Sequence, residues 1–422
     1  MKRRNESDII ADVSSSCLTI QDGVFPRAND LHHFKTATTR TARDINRRLV
    51  LNLIRKHQPI SRADLARRSR LQRSTVSLIV EQLIAERWVA IGAMGDLPRG
   101  RKPTYLHLNG NRAGIIGIDI RPAATLIALA DLDMRFLAQT SMRTHRNASQ
   151  FTRELGAEVV RLMKSNPNVV FEGIGVALPG RVQMPSCRLT FAPNMSWDSL
   201  EIKKPLEAAT GLPVELENAA NACALAEIWS GHHPESVRNL IAVTVSEGIG
   251  MGMILNGQLV RGTSGMAGEF GHITVQENGP LCNCGNRGCF EVCASNTAAV
   301  RYFSESRHPG GKSWRKVDFD FVLSMAEQQD AHACRALDRM ARALGVGLTM
   351  IVTGLAPDVI VVAGEVPRAW KRIGPVINEA VRRGSPTKAG TRIVPGDSDA
   401  HPRLRGAIAL VLQKHFGPMH PI

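Results

Sequence analysis

The sequence predicts an α/β protein in two parts: a small basic helical module with a two-stranded wing, then a larger glycine-rich body of alternating strands and helices. Three observations predict it. Residues 1–112 hold 21 Lys/Arg against 10 Asp/Glu, whereas residues 113–422 hold 32 against 28, so most of the net charge of +15 sits in the first quarter. At Ala113 helical periodicity gives way to β/α alternation. Further on, one imidazole and three thiols (His272, Cys282, Cys284 and Cys289) crowd into eighteen residues. The 43% apolar content is that of a globular chain, and no apolar run reaches the length that spans a bilayer. A basic module on a near-neutral body points to a polyanion as partner; charge alone fits an acidic membrane equally, and it is the pattern inside the first quarter that decides for nucleic acid and against a membrane.

Residues 1–42 mix Ser, Thr, Asn, Arg and Asp without sustained periodicity and are expected to be a flexible leader. The start, Met-Lys-Arg-Arg-Asn-Glu-Ser-Asp, lacks the apolar core of a signal peptide, which predicts a cytoplasmic protein. Residues 43–108 read as a winged helix-turn-helix. Ile45, Leu49, Leu53 and Ile54 share one helical face, with Arg47, Arg48, Arg55 and Lys56 around the other, and Pro59 stops the helix. Ser61 is placed to cap a short second helix, with Asp64 three residues on. In the third helix Val76, Ile79, Val80, Leu83 and Ile84 form the buried stripe. Arg73, Ser74 and Ser77 open the other face, small polar and basic groups suited to a major groove.

Trp88–Ile91 and Thr104–Leu108 follow as short alternating strands, and the loop between them carries Pro98-Arg99-Gly100-Arg101-Lys102-Pro103. This segment resembles an AT-hook, whose guanidinium groups lie along a narrow A·T-rich minor groove. Arg99, Arg101 and Lys102 are therefore candidate DNA contacts beside Arg73, Ser74 and Ser77. The implied partner is double-stranded operator DNA, an A·T-rich palindrome if two copies bind together.

In the body, Ala113–Ile120 and Thr125–Asp131 read as strands, residues 150–164 as a helix, and Gly173–Leu178 as a further strand. Apolar helices are expected within 331–356 and 403–416. His272 with Cys282-x-Cys284-x4-Cys289 is a complete tetrahedral donor set for zinc, with no position left open, so the metal reads as structural. Disulfides are the competing reading, but eight cysteines in 422 residues are too dilute for a stapled scaffold. Cys17, Cys187, Cys223, Cys293 and Cys334 have no such grouping.

Gly173-Ile-Gly-Val-Ala-Leu-Pro-Gly180, Ala192-Pro-Asn-Met-Ser-Trp197, the stretch Glu217–Glu227, Gly268–His272 and Cys282–Glu291 together resemble the ROK family of repressors, open reading frames and sugar kinases. The resemblance covers residues 45–422. It includes the winged helix of the repressor branch, to which xylose and N-acetylglucosamine repressors belong. It implies a two-lobed actin-like, ribonuclease-H-like ATPase fold over residues 109–422. Lobe 1 would span about 113–218 plus the helix 403–416, and lobe 2 about 219–402. Sugar hydroxyls would then meet Asn194, Asn218, Glu269, His272 and Glu291, with His272 touching both metal and sugar.

The departures from the kinase pattern matter equally. The kinase general base after Glu-Asn is an aspartate, and here it is Ala219; loss of a positioned base alone removes roughly 10²–10⁴-fold in rate. Asp119-Ile-Arg-Pro-Ala stands for Asp-x-Gly-Gly-Thr, and a phosphate nest needs the free N–H groups that Pro122 lacks. Ser246-Glu247-Gly248 replaces Gly-Thr-Gly, and Glu365 replaces a late glycine. No catalytic residue and no ATP are expected. The reading is a sugar- or sugar-phosphate-responsive repressor of carbohydrate uptake or catabolism genes, acting as a homodimer or dimer of dimers. The alternatives are an active sugar kinase with a fused DNA-binding domain, and a repressor controlled by a protein effector.

Overall fold

The computed structural model describes residues 39–94, 104–110, 113–183, 188–191, 195, 197, 200–230, 233–234, 236–307, 317–385, 390–397 and 400–417. Arg47–Gly417 form one compact unit. Helix α1 (Thr39–His57) ends just before the Gln58-Pro59 pair. After β1 (Ile60–Ser61), α2 (Arg62–Ser69) starts on the predicted cap. The Ser61 hydroxyl accepts from the Asp64 N–H at 3.2 Å and donates to the Asp64 carboxylate at 2.6 Å. Arg70, in a left-handed conformation, turns the chain into α3 (Arg73–Ala85). Strands β2 (Val89–Met94) and β3 (Thr104–Leu108) pair antiparallel, and β1 adds to β3. The wing tip, with Arg99, Arg101 and Lys102, lies outside the described residues, as do residues 1–38 of the predicted leader.

Two expectations for this head are corrected. Thr39–Ala42, assigned to the leader, belong to α1; apolar periodicity starts only at Ile45, and small or polar residues extend a helix without announcing it. The buried face of α1 is Val50, Leu51 and Ile54, whereas Ile45 and Leu49 are exposed. Six apolar residues within ten positions satisfy two overlapping stripes, and packing against Leu65, Val76, Val80 and Leu106 selects one of them.

The body repeats one sheet plan twice. The first sheet is built from β4 (Ala113–Ile120), β5 (Ala124–Ala130), β6 (Phe136–Arg143), β7 (Val170–Leu178) and β11 (Val214–Asn218), in the order β11-β7-β4-β5-β6. Between β7 and β11 lies a small sheet of β8 (Arg181–Gln183), β9 (Arg188–Phe191) and β10 (Leu200–Glu201). The second large sheet joins β12 (Leu240–Val245), β13 (Ile249–Leu255), β14 (Gln258–Leu259), β15 (Val359–Gly364) and β16 (Arg392–Pro395), in the order β14-β13-β12-β15-β16. Each is an antiparallel meander of three strands extended by two parallel ones. β4 and the Ile241–Val243 stretch of β12 are buried throughout, as expected of central strands covered on both faces.

Helices α4 (Ala148–Lys164) and α5 (Lys203–Thr210) cover the outer face of the first sheet through Phe151, Leu155, Val159 and Leu206. The outer face of the second carries α7 (Phe290–Ala294), α8 (Asn296–Arg307), α9 (Phe319–Glu327), α10 (Ala331–Leu355) and α11 (Trp370–Gly384). Between the sheets run α6 (Ala219–Ser230) and α12 (Pro402–Phe416), packed on each other. Their approach needs glycine: a Cβ on Gly406 would stand 1.8 Å from the Ala222 carbonyl oxygen, and one on Gly252 2.2 Å from that of Ala220. Among the described residues no helix is long and apolar enough to cross a membrane.

Candidate functional site

The loop between β14 and α7 gathers the four predicted metal donors. One donor atom each from His272, Cys282, Cys284 and Cys289 lie within 4.8 Å of one another. Glycines at 285 and 288, both with positive φ, let the loop double back, and a Cβ on Gly288 would strike the Gln276 carbonyl oxygen at 1.6 Å. Cys282 Sγ is 3.7 Å from His272 Nδ1, and Cys284 Sγ is 3.6 Å from Cys289 Sγ. A zinc tetrahedron with ordinary bond lengths has edges of about 3.6–3.8 Å, so the donor set fits that ion. Burial pushes the Cys289 thiol up to about 12 and raises that of Cys282, while the Asn286 backbone lowers that of Cys284. A divalent cation among them would offset that penalty on the thiolates.

The imidazole of His272 has two neighbours. Its Nδ1 faces the thiols, and its Nε2 lies 3.7 Å from a Glu269 carboxylate oxygen. The other Glu269 oxygen is 3.9 Å from Arg181, on β8 of the small sheet. Glu291 follows the last cysteine at the start of α7, and its carboxylate accepts from the Ile249 N–H at 3.0 Å. Gly248 is small enough to admit it, since a Cβ there would meet Glu291 Oε2 at 2.2 Å. Asn218 ends β11; its side-chain oxygen accepts from the Ala220 and Asn221 N–H groups and so caps α6, while its amide donates to the Gly180 carbonyl at 2.7 Å. Asn194 lies outside the described residues.

The structure adds residues that spacing did not single out. Glu217, almost wholly buried, takes 2.7 and 3.0 Å hydrogen bonds from Arg261 Nε and the Asn221 amide. Arg261 is 44 positions from Glu217, and Arg181 on β8 lies far from Glu269 in the chain, so no local pattern predicts either pair.

The segments set against kinase phosphate loops in the sequence make contacts within the chain. Asp119, fully buried, is held by Arg121 Nε at 2.7 Å and by Arg403 Nε, on α12, at 3.1 Å. Glu365 accepts from the Asn296 amide at 2.8 Å, and the carbonyls of Ser246 and Glu247 accept from Asn296 N and Thr297 Oγ1. Ala219 is the first residue of α6 and brings no carboxylate to that end.

On the head, Arg73 and Ser74 are exposed and Ser77 half-buried on the outer side of α3. Helix α1 rests on the far ends of α6 and α12. The Arg55 guanidinium carbon stands 4.5 Å from the Trp229 ring centroid and 5.8 Å from that of Phe416, and Arg55 Nη1 donates to the Trp229 carbonyl at 3.3 Å. Burial pulls the Arg55 pKa down, opposed by the charge of Asp133. Trp88 packs at a tilt on His415 and edge-to-face against Phe416, with centroids 4.7 and 6.0 Å apart, and Arg48 and Asn52 donate to the carbonyls of Gly417 and Phe416. Helix α6, about 18 Å long at 1.5 Å per residue, thus starts at Asn218 and ends under Arg55.

Residues 115–414 match the ROK family and residues 43–90 a winged helix-turn-helix DNA-binding family. The xylose repressor of Bacillus spizizenii is 32% identical over 327 residues, 76% of this chain and 82% of that protein. A ROK family transcriptional regulator, a homologue of the E. coli MLC protein, superposes with a TM-score of 0.77 over 89% of this chain and 98% of its own; at 24% identity this speaks for the fold. A ROK family glucokinase from Streptomyces griseus, in complex with glucose and AMPPNP, gives a TM-score of 0.63 at 28% identity, covering 71% of this chain and all of its own.

Proposed function

The chain belongs to the ROK family, and from that premise we propose that it is a sugar-responsive DNA-binding repressor whose ROK body senses a sugar without phosphorylating it. The observation that carries this reading is the course of α6, from the Asn218 cap beside Glu217 and Arg261 to Trp229 beneath Arg55 of the head. A ligand that alters the first end has a packed route to the second.

The effector is a monosaccharide or its phosphate, held by Asn194, Asn218, Glu269, His272 and Glu291 with Arg181 at the mouth. Carboxylates and amides each satisfy two neighbouring hydroxyls, and a site so built rejects ligands that leave its polar groups unpaired. His272, Cys282, Cys284 and Cys289 would hold zinc, which would supply a structural cross-link fixing the loop that carries Glu269 and Glu291. His272, anchored through Nδ1, then keeps Nε2 directed toward Glu269 and the ligand.

Three features support a body that does not transfer phosphoryl groups. Position 219 has no base, Asp119 is neutralised by two guanidinium groups, and Glu247 and Glu365 put negative charge where phosphates would lie. Two copies of the chain bind a two-fold operator, and the angle between their bodies sets the spacing of the heads. The ligand acts by preferring one angle; moving a 1:99 population to 99:1 takes about 5.5 kcal/mol of differential binding.

The test is operator binding by purified full-length protein at fixed salt, with a panel of free and phosphorylated monosaccharides and ADP release measured in parallel. The proposal requires one sugar to change operator affinity at least fivefold without ADP formation. Sugar-dependent ADP production would instead favour a kinase with a fused head, and indifference to every sugar a protein effector.

A further inference from the structure

Leu78 on α3 is 68% exposed, the most exposed large apolar side chain of the described residues. It is no stray of the core: Val76, Ile79, Val80 and Leu83 form the buried stripe, and Ser74, Leu78, Glu81 and Ala85, spaced at i, i+4, i+7 and i+11, make up the opposite pole. Arg73 and Ser77 lie on its flank. Leu78 is the sixth residue of the helix, within the first two turns that enter a major groove in this architecture. Arg67 and Arg68 at the end of α2, Arg70 in the turn and Arg73 at the start of α3 are exposed, with Asp64 already paired to Arg67. That charge selects nucleic acid over a second protein as the occupant of this face. Glu81, an acceptor-only group one turn on, suits base edges that carry amino donors and would be repelled by phosphates.

Resting on the DNA-binding reading above, we infer that Leu78 determines operator sequence by packing on the 5-methyl group of a thymine in the major groove. Thymine alone among the bases offers an apolar group there. Arg73 and Ser74 fix the register on the backbone, and Leu78 supplies the base contact that polar neighbours cannot.

The experiment selects duplexes from a random pool with the full-length protein, then measures affinities by anisotropy at fixed salt. The expected half-site contains a required thymine. Replacing it by uracil removes only the methyl group and weakens binding about fourfold per half-site, the Boltzmann factor for one methyl withdrawn from water. Leu78→Ala weakens binding to the thymine site to the same extent, leaves Tm unchanged because the side chain is exposed, and makes the protein indifferent to uracil. Leu78→Met retains the discrimination. A Leu78→Ala protein that still loses the full fourfold on uracil, or one whose selected sequence and affinity are unchanged, overturns the inference. Enrichment of no sequence at all overturns the DNA-reading proposal beneath it, a different result from enrichment of a site that ignores Leu78.

Discussion

Replacing Arg55 by alanine should disconnect the head from the body without unfolding either. The guanidinium lies 4.5 Å over Trp229 and donates to its carbonyl at 3.3 Å. A desolvated cation–π contact contributes about 2 kcal/mol, and a long hydrogen bond from a charged donor about 1 kcal/mol. Against this stands the burial that pulls the Arg55 pKa down, and its Nε is without a hydrogen-bond partner. A net of about 2 kcal/mol remains, or roughly thirtyfold in an equilibrium constant, comparable to an ordinary allosteric coupling energy. The assay compares operator Kd with and without the effector sugar for wild type and Arg55→Ala, and sugar affinity without DNA for both. The variant should bind sugar normally and operator within a few-fold, while the ratio of the two operator affinities falls toward one. Arg55→Lys, which keeps the charge and loses the planar stack, should fall between them. An unchanged ratio in Arg55→Ala would refute the α6 route, since the head would then be answering through other contacts.

Three further outcomes follow from the same geometry. Purified protein should hold about one zinc per chain by elemental analysis, and Cys289→Ala should lose the metal together with sugar-induced thermal stabilisation; retained metal in that variant would contradict the four-ligand assignment. Ala219→Asp should produce no ATP turnover, because Arg121 and Arg403 still hold Asp119 and Glu247 and Glu365 remain. Arg261→Met should destabilise the fold by about 1–2 kcal/mol in chemical denaturation, less than the loss of a fully buried pair because Arg261 is partly exposed and Glu217 keeps its bonds from Asn218 and Asn221. Adding Glu217→Leu should recover much of that loss, and a purely additive double variant would argue against the pairing.

Local features were legible in the chain and long-range ones were not. Ser61 and Asp64 announced the start of α2 because a cap is a contact within four residues, and the α3 stripe was visible because Val76, Ile79, Val80 and Leu83 recur at helical spacing, Leu78 alone among the large apolar residues falling on the opposite pole. The metal cluster was equally plain, its donors lying close in sequence. The buried side of α1 was not, since Ile45 and Leu49 compete with Val50 and Leu51 until tertiary packing decides. The stack of Arg55, Trp229 and Phe416 joins three distant segments, and the Glu217–Arg261 pair ties β11 to the segment that follows β14. Pro122 and Ala219 stand out in the chain itself, but the clamp of Arg403 on Asp119 required the return of α12 between the sheets.

The most direct measurement follows one sample of full-length protein on its operator while a sugar is titrated in the presence of ATP, recording anisotropy and ADP together. The account predicts that a particular monosaccharide changes the anisotropy in a saturable way while ADP stays at background. ADP accumulating with that sugar, or anisotropy unmoved by every sugar in the panel, would contradict it.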